Sequence, residues 1–278
     1  MAHTDILVIV RQKHASRFQE HLSLYREFHT TFVESTEAAM ALLAERQQHL
    51  DLLVLDNGLP NAYEFITTLR QTYPRLLIVS VDEEADFALP GQADDISIKP
   101  FENDDLARRI NRLMADRHME TLRADSMPPV REVVKTLRKA TGETGKQQAA
   151  VTACRELGYD YVAFYQLDSL DPLKITLKAQ DGPAPIQAVA PRQAAADDIM
   201  SWVATTGQSR IAGPTDELNY PLVRRGRLGA VACTPVGSAN RYGVIVACRN
   251  QPSSITQQQV MLLELISAQL AAVISKEA

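Results

Sequence analysis

The chain has 278 residues, which is more than one domain usually contains and therefore predicts two domains. Hydrophobic residues make up 45% and charged residues 23%, a normal globular mixture that needs neither a metal nor a disulfide to fold. The formal net charge of −5 gives no electrostatic reason to expect nucleic-acid binding. No apolar run approaches the roughly 20 residues needed to cross a bilayer, so we expect no membrane association.

Strand-like and helix-like segments alternate over the first hundred-odd residues. Residues 6–10 form a continuous apolar run, which is typical of a strand buried on both faces. Repeated strand-helix units of this length predict an α/β fold with a doubly wound, five-stranded parallel sheet. The other predicted elements are strands at 32–33, 52–55, 76–79 and 95–98, helices around 18–25, 38–43 and 62–69, and a short weak helix before the last strand.

The middle of the chain is helical and contains the predicted domain junction. A long helix runs from Asp104 to Asp125, and Pro128-Pro129 interrupts it. A second helical stretch carries Val130 and Leu137 before Gly142 and Gly145 break the pattern. The predicted organisation is a first domain at 1–118, a helical linker at 119–130 and a second domain at 131–278.

The second half predicts an α+β domain with an antiparallel sheet, because half-buried strands alternate there between helices. A helix ends at Gly158, a typical C-cap residue. Ser254 and Gln257 form a capping-box pattern before a closing helix at 256–275. The predicted strands are 159–167, 173–179, 230–235 and 242–248, with a turn at 237–240.

Three polar residues, Asp56, Ser80 and Lys99, follow strands of the parallel sheet. The functional crevice of such a sheet lies beyond the carboxyl ends of its strands, so we expect these side chains to converge. A carboxylate, a hydroxyl and an ammonium in one place suit phosphoryl transfer to Asp56. A cis bond before Pro100 would aim the ammonium of Lys99 into the crevice.

The stretches around these residues, VLDNGLP, LLIVS and ISIKPF, resemble the receiver domain of two-component response regulators over roughly residues 4–118. Their order and spacing match the family. The resemblance implies that Asp56 is the candidate phosphoacceptor, supported by Ser80 and Lys99. It also implies that Mg²⁺ is required if the receiver is active, and that a histidine kinase or another signalling protein is the partner.

The departures from the receiver pattern are equally informative. Receivers bind their metal through two acidic residues at the end of the first strand, whereas residues 10–12 here supply none. We therefore expect poor Mg²⁺ binding and a direct ion pair between Arg11 and Asp56. The aromatic switch position holds Ile96, and the usual Asp-Gly pair is Tyr63-Glu64. A degenerate receiver kept for protein docking is favoured, and a phosphorelay receiver phosphorylated on Asp56 is the alternative.

Five stretches in order, from YDYVAFYQLD to the closing helix, make the second half similar to a GAF domain over about residues 128–278. The resemblance implies a pocket between the sheet and a helix-loop lid, with Trp202 and Tyr165 as candidate ligand contacts. All six histidines precede residue 119, which argues against haem and zinc. No cofactor is expected, and a ligand, if bound, is unidentified. For Trp202 the favoured interpretation is that it fills core space, and stacking on a ligand is the alternative.

The remaining features concern thiols, charge and assembly. Cys154, Cys233 and Cys248 lie in apolar stretches without C-x-x-C spacing, so we expect buried thiols and a reducing, cytoplasmic compartment. The basic segment 224–227 has no aromatic platform, so a solvated loop is expected rather than phosphate or nucleic-acid binding. The closing helix is apolar over a broad face, which predicts a homodimer through this helix and the helices of 104–137.

The function predicted from the sequence is a non-enzymatic signal-transduction protein. The degenerate receiver acts as a docking and regulatory module, and the GAF-like domain is sensory or dimerising. An enzyme is not expected, because no Cys-His or Ser-His pairing, no Gly-rich phosphate loop and no space for a catalytic output domain are found. A helix-turn-helix output is not found either. The alternative is a working response regulator whose GAF domain senses a small ligand.

Overall fold

The chain forms two compact units in the computed structural model, each with its own five-stranded sheet and hydrophobic core. Unit 1 comprises Met1–Arg70 with Leu76–Glu120, and unit 2 comprises Gln71–Arg75 with Thr121–Ala278. The structure describes residues 3–45, 50–83, 92–124, 128–214, 221–237 and 240–276.

Unit 1 has the doubly wound parallel sheet that the sequence predicts, with strand order β2-β1-β3-β4-β5. The strands are β1 (Thr4–Ile9), β2 (Phe28–Val33), β3 (Leu52–Asp56), β4 (Leu77–Val81) and β5 (Asp95–Ser97). The helices are α1 (Gln12–Ser23), α2 (Thr36–Glu45), α3 (Ala62–Thr72) and α4 (Asp105–Ala124), with a short 3₁₀ turn at Glu102–Asp104.

The central strands form because their residues are apolar on both faces and helices cover both sides. Every residue of β3 is buried, and the apolar part of β1 is fully buried too. Phe18 and Leu22, four residues apart on α1, pack against one face. Full burial of each such side chain stabilises the fold by about 1.5–3 kcal/mol. The short weak helix predicted between β4 and β5 falls in a segment of which residues 84–91 lie outside the described residues.

An ionic network fixes α4 to the edge strand β5. Asp95, at the start of β5, accepts hydrogen bonds from Arg109 at 2.7 Å and Arg112 at 2.6 Å. Arg109 also donates to Asp105 at 2.7 Å, and the hydroxyl of Ser97 donates to the same carboxylate at 2.7 Å. Because both carboxylates are largely shielded from solvent, this network holds the helix to the strand more firmly than exposed ion pairs would.

Unit 2 has a purely antiparallel sheet with strand order β7-β6-β10-β9-β8, as the predicted fold class requires. The strands are β6 (Tyr161–Leu170), β7 (Leu173–Asp181), β8 (Arg210–Ala212), β9 (Ala230–Val236) and β10 (Gly243–Arg249). The helices are α5 (Pro128–Lys139), α6 (Gly142–Glu156), α7 (Ala184–Val189), α8 (Ile199–Thr206), α9 (Pro221–Arg225) and α10 (Gln257–Ile274). β8, α7 and α9, each of six residues or fewer, are not among the elements predicted from the sequence.

The sheet of unit 2 is buried on both faces, which its strand alternation explains. Ile245 and Ala247 of β10 join the cluster under α5, α6 and α10. Val244, Val246 and Cys248 join a second cluster with residues of α8 and α9. Successive side chains of a strand point to opposite faces, so β10 contributes to both cores.

Several local predictions need correction. The capping box before α10 is formed by Thr256 and Gln259, two residues later than the predicted Ser254 and Gln257. The helical pattern does break before Gly142, which has φ +69° and follows the end of α5 at Lys139, whereas Gly145 lies inside α6 and breaks nothing. Residues 238–239 of the predicted 237–240 turn lie outside the described residues.

Other local predictions are confirmed or qualified. Gly158 follows α6 with φ +90°, and its N–H donates to the carbonyl of Arg155 at 3.1 Å, as expected of a C-cap glycine. α10, with 18 residues and a mean hydropathy of 1.2, has the length and composition of a membrane span, and no other helix in the described ranges does. Val260, Leu263 and Leu270 of α10 pack in the core beneath the sheet, as apolar helices of soluble proteins also do.

Candidate functional site

Asp56 is the last residue of the central strand β3, at the carboxyl ends of the parallel strands. All acceptor positions of its carboxylate are used by hydrogen bonds. Its Oδ2 accepts from Arg11 Nε at 2.8 Å and from the backbone N–H of Arg11 at 3.2 Å. Its Oδ1 accepts from Arg11 Nη2 at 3.1 Å and from the backbone N–H of Gly58 at 2.8 Å. A carboxylate offers about four acceptor positions, so these four bonds use its full capacity. The ion pair predicted between Arg11 and Asp56 is present.

The charge of this carboxylate is stabilised even though it is buried. Asp56 is 3% exposed, and burial alone would raise the pKa of its carboxyl group. The hydrogen bonds from Arg11 and Gly58 and the attraction to the guanidinium outweigh burial, so the pKa of Asp56 lies below its usual value. Asp56 is therefore ionised at neutral pH and neutralised by Arg11.

Gly58 leaves the space that the Arg11 guanidinium occupies. A Cβ atom built on Gly58 would overlap the guanidinium of Arg11. Gly58 is not among the residues with positive φ, so the need for glycine is the close approach of Arg11 and not the backbone conformation. The sequence analysis missed this residue, since nothing local to Gly58 indicates which side chain will lie over it.

The other two predicted crevice residues do not converge on Asp56. Ser80 lies inside β4 and not after it, and its hydroxyl donates to the side-chain oxygen of Asn57. The ammonium of Lys99 is largely exposed and pairs with Glu102 at 3.0 Å. The bond between Lys99 and Pro100 is trans, and the cis bond in the described residues precedes Pro172. The predicted convergence of Ser80 and Lys99 on Asp56 is therefore wrong, because their side chains bond to Asn57 and Glu102 instead.

Trp202 and Tyr165, the candidate ligand contacts of unit 2, belong to the apolar cluster between the sheet and α8. Tyr165 is fully buried, and its hydroxyl donates to the carbonyl of Pro191 at 3.0 Å. Burial raises the pKa of Tyr165. Trp202 is partly buried on α8, and the guanidinium carbon of Arg210 lies 4.9 Å from the centre of its ring. In this structure both aromatic residues pack as core.

Asp198, which was not predicted from the sequence as a site residue, is a buried carboxyl group at the start of α8. It is 1% exposed and caps α8, because its Oδ1 accepts from the N–H of Met200 at 3.1 Å. Its Oδ2 is buried without a hydrogen-bond partner among the described residues. Burial raises the pKa of Asp198 to about 7, against a partial opposing effect of the Met200 N–H. In the sequence, an aspartate before a helix looks like an ordinary exposed cap.

The three cysteines are all buried and reduced, as predicted. Burial raises the pKa of Cys154 to about 12 and the pKa of Cys233 well above its usual value. Thiols of this kind are protonated and shielded from solvent at neutral pH, so they are poor nucleophiles. The described residues contain no group of three or more His, Cys, Asp or Glu that could hold a metal ion. In the basic segment, Arg224 and Arg225 are exposed.

Comparison with known proteins identifies the second half. Residues 146–274 match the model of the GAF domain family, which confirms this part of the sequence analysis and makes unit 2 a sensory or regulatory signalling module. No curated protein matches the chain.

Several solved structures are similar to the chain. A GAF domain from an Acinetobacter phosphoenolpyruvate-protein phosphotransferase is 18% identical, with a TM-score of 0.46 over 53% of this chain and 91% of that one. The corresponding domain from Coxiella burnetii is 15% identical, with a TM-score of 0.47 over 57% and 94%. The free methionine-R-sulfoxide reductase of Neisseria meningitidis is 14% identical, with a TM-score of 0.45 over 51% and 84%.

The overlap at Gly58 gives a test of the Arg11–Asp56 ion pair. We expect Gly58→Ala to displace the guanidinium of Arg11 and thereby to raise the pKa of Asp56, because the carboxylate loses its neutralising charge. Arg11→Ala should raise the same pKa, because it removes the guanidinium altogether. The measurement is the pH titration of the Asp56 carboxyl carbon by NMR. Arg17→Ala is the control, because Arg17 pairs with Glu83. An unchanged Asp56 pKa in Gly58→Ala would contradict the assignment.

Asp198 predicts a pH-dependent stability. Because its pKa is raised from 3.8 to about 7 on folding, the folded state holds its proton more tightly than the unfolded state. The free energy of unfolding should therefore fall as pH rises through this interval, by on the order of 2–4 kcal/mol. Urea unfolding between about pH 5 and about pH 8 measures the slope. Asp198→Asn should flatten it, whereas Glu156→Gln, at an exposed position of α6, should not. Equal slopes in all three proteins would refute the role of Asp198.

Proposed function

We propose that the chain is a non-enzymatic signalling adaptor, in which unit 1 is a degenerate receiver that docks a partner and the GAF domain is the sensory or regulatory module. The observation that carries this proposal is the bidentate ion pair between Arg11 and Asp56. This ion pair supports the proposal that the crevice does not accept a phosphoryl group and that unit 1 acts by binding protein partners.

The proposal rests on the electrostatic requirements of phosphoryl transfer. A divalent cation normally neutralises the charge that develops as a phosphoryl group moves, and it needs carboxylate oxygens as ligands. Residues 10–12 provide no carboxylate beside Asp56, and the lone pairs of Asp56 are taken by N–H donors. A metal ion would have to displace the Arg11 guanidinium, whose side chain is 23% exposed, and the two cations would then repel each other beside a single carboxylate.

The surroundings of Asp56 support the same function. In a receiver, the hydroxyl and the ammonium that correspond to Ser80 and Lys99 would hold the phosphoryl group, whereas here these groups bond to Asn57 and Glu102. Ile96 lies at the position of the aromatic switch, and the network of Asp95 fixes the adjacent helix. A rigid, permanently neutralised crevice is suited to constant docking.

The partner that fits this proposal is a histidine kinase or another signalling protein that recognises a receiver fold. The setting is the cytoplasm, because free thiols such as Cys154 persist in a reducing compartment. In the GAF domain, the buried Oδ2 of Asp198 at the start of α8 is the group that would accept a hydrogen bond from a small ligand. The adaptor would then couple a ligand or a partner at one unit to docking at the other.

The proposal is tested by attempted phosphorylation. The wild type incubated with acetyl phosphate and Mg²⁺ should show no phosphoryl adduct in its intact mass, since the metal has no site. The comparison is the double change Val10→Asp with Arg11→Asp, which restores the paired acids of receivers and should bind Mg²⁺ measurably by calorimetry. Asp56→Asn shows whether any adduct lies on Asp56. A phosphorylated wild type that loses its adduct in Asp56→Asn would establish the alternative, a working phosphorelay receiver.

We also propose that the protein is a homodimer through α10 and the helices of residues 104–137. Leu262 and Met261 of α10 are only partly buried, beside a small cluster of Val130 and Leu265. Sedimentation equilibrium at micromolar concentration should give a dimer for the wild type and a monomer for Leu262→Glu, because a charge in an apolar interface costs several kcal/mol. Thr144→Glu, which adds the same charge at an exposed position of α6 outside the proposed interface, is the control. A monomeric wild type would remove this proposal.

A further inference from the structure

We infer that unit 2 contains a binding site for a small phosphate-bearing anion, in a cavity between the end of α5, the start of α6 and the end of α10. The cavity has a volume of about 460 Å³, and its lining includes Arg138, Lys146, Val273 and Lys276. This volume lies within the range of small-molecule sites in proteins. The cavity lies at the ends of α5, α6 and α10, which pack on one face of the sheet, whereas Trp202 packs against the cluster on the opposite face.

The charge of the residues that line the cavity indicates the sign of the charge on the ligand. Three of its residues are cationic, Arg138 from α5, Lys146 from α6 and Lys276 just after α10, and none of the described lining residues is acidic. An anion placed among these three side chains is attracted by each of their positive charges. Lys146 is only 8% exposed, and charge interactions at such a shielded position are stronger than at the open surface.

The backbone at the start of α6 adds to this field. The corner between α5 and α6, including Thr141 and Gly142, forms part of the cavity wall. Thr141 precedes the helix without a side-chain hydrogen bond to its first turn, and a Cβ atom on Gly142 would meet nothing within 4 Å. The N–H groups of the first turn are thus approachable, and the positive end of the helix favours an anion there.

The composition of the site narrows the ligand class. No aromatic side chain lines the described walls of the cavity, so these walls offer no ring on which a nucleobase could stack. The segment from Ala140 to Gln147 differs from the nucleoside-triphosphate loop pattern, which has glycine at its first position and serine or threonine at its last. A cavity with three cationic side chains and a helix N-terminus, but no aromatic ring for a nucleobase, matches inorganic phosphate or a phosphate monoester.

The experiment is a calorimetric titration of the full chain with inorganic phosphate and, in a second arm, with glycerol 3-phosphate, at constant ionic strength set by NaCl. We expect saturable binding at concentrations up to roughly 10 mM. The double variant Arg138→Gln with Lys276→Gln should weaken binding about tenfold, because two of the three charges are removed. If glycerol 3-phosphate binds more tightly than inorganic phosphate, the site is assigned to a phosphorylated metabolite. If it binds equally or more weakly, the site is assigned to inorganic phosphate. Both outcomes support the inference.

The matched control is the double variant Lys135→Gln with Lys139→Gln, which removes the same net charge from exposed positions of α5 outside the cavity lining. It should change the affinity by less than about twofold. Lys146→Gln should weaken binding as well, and thermal unfolding of that variant checks that its buried position has not disrupted the fold. Absence of saturable binding in the wild type, or equal losses in the two double variants, would overturn the inference.

Discussion

The ion pair between Arg11 and Asp56 determines what the crevice of the parallel sheet can do. It places a fixed positive charge where a receiver would bind an exchangeable metal ion, and the carboxylate has no acceptor position left over. Removing one partner of a buried pair typically costs about 3–5 kcal/mol, because the other charge is left uncompensated. Gly58 is part of this arrangement, because a Cβ atom at that position would overlap the Arg11 guanidinium.

The main parts of the N-terminal fold could be predicted from the sequence because its strands are unbroken apolar runs. The Arg11–Asp56 pair could also be predicted, since β1 and β3 are neighbours and both residues follow closely on the paired positions Ile9 and Leu55. The position of Lys99 could not. Its long side chain finds a carboxylate three residues along the chain, at Glu102, and such a local choice of rotamer is not encoded in the order of motifs.

In the C-terminal unit, alternation of apolar residues predicts the long strands but not the short ones, because three residues of β8 carry no recognisable period. The capping box was placed wrongly since two overlapping matches exist, and the structure uses Thr256 with Gln259. Asp198 illustrates a deeper limit. Its role as a helix cap is local, but its burial depends on packing between α8 and the sheet, which only the folded chain supplies.

The two units thus combine a crevice with a permanently neutralised carboxylate and a GAF domain with a buried, proton-sensitive one. The most direct measurement of the central claim is a crystal structure after soaking with Mg²⁺ and beryllofluoride, which imitates a phosphoryl group on aspartate. The ion pair predicts that Arg11 stays on Asp56 and that neither ligand is bound there. An octahedral magnesium ion beside a beryllofluoride adduct on Asp56 would contradict it.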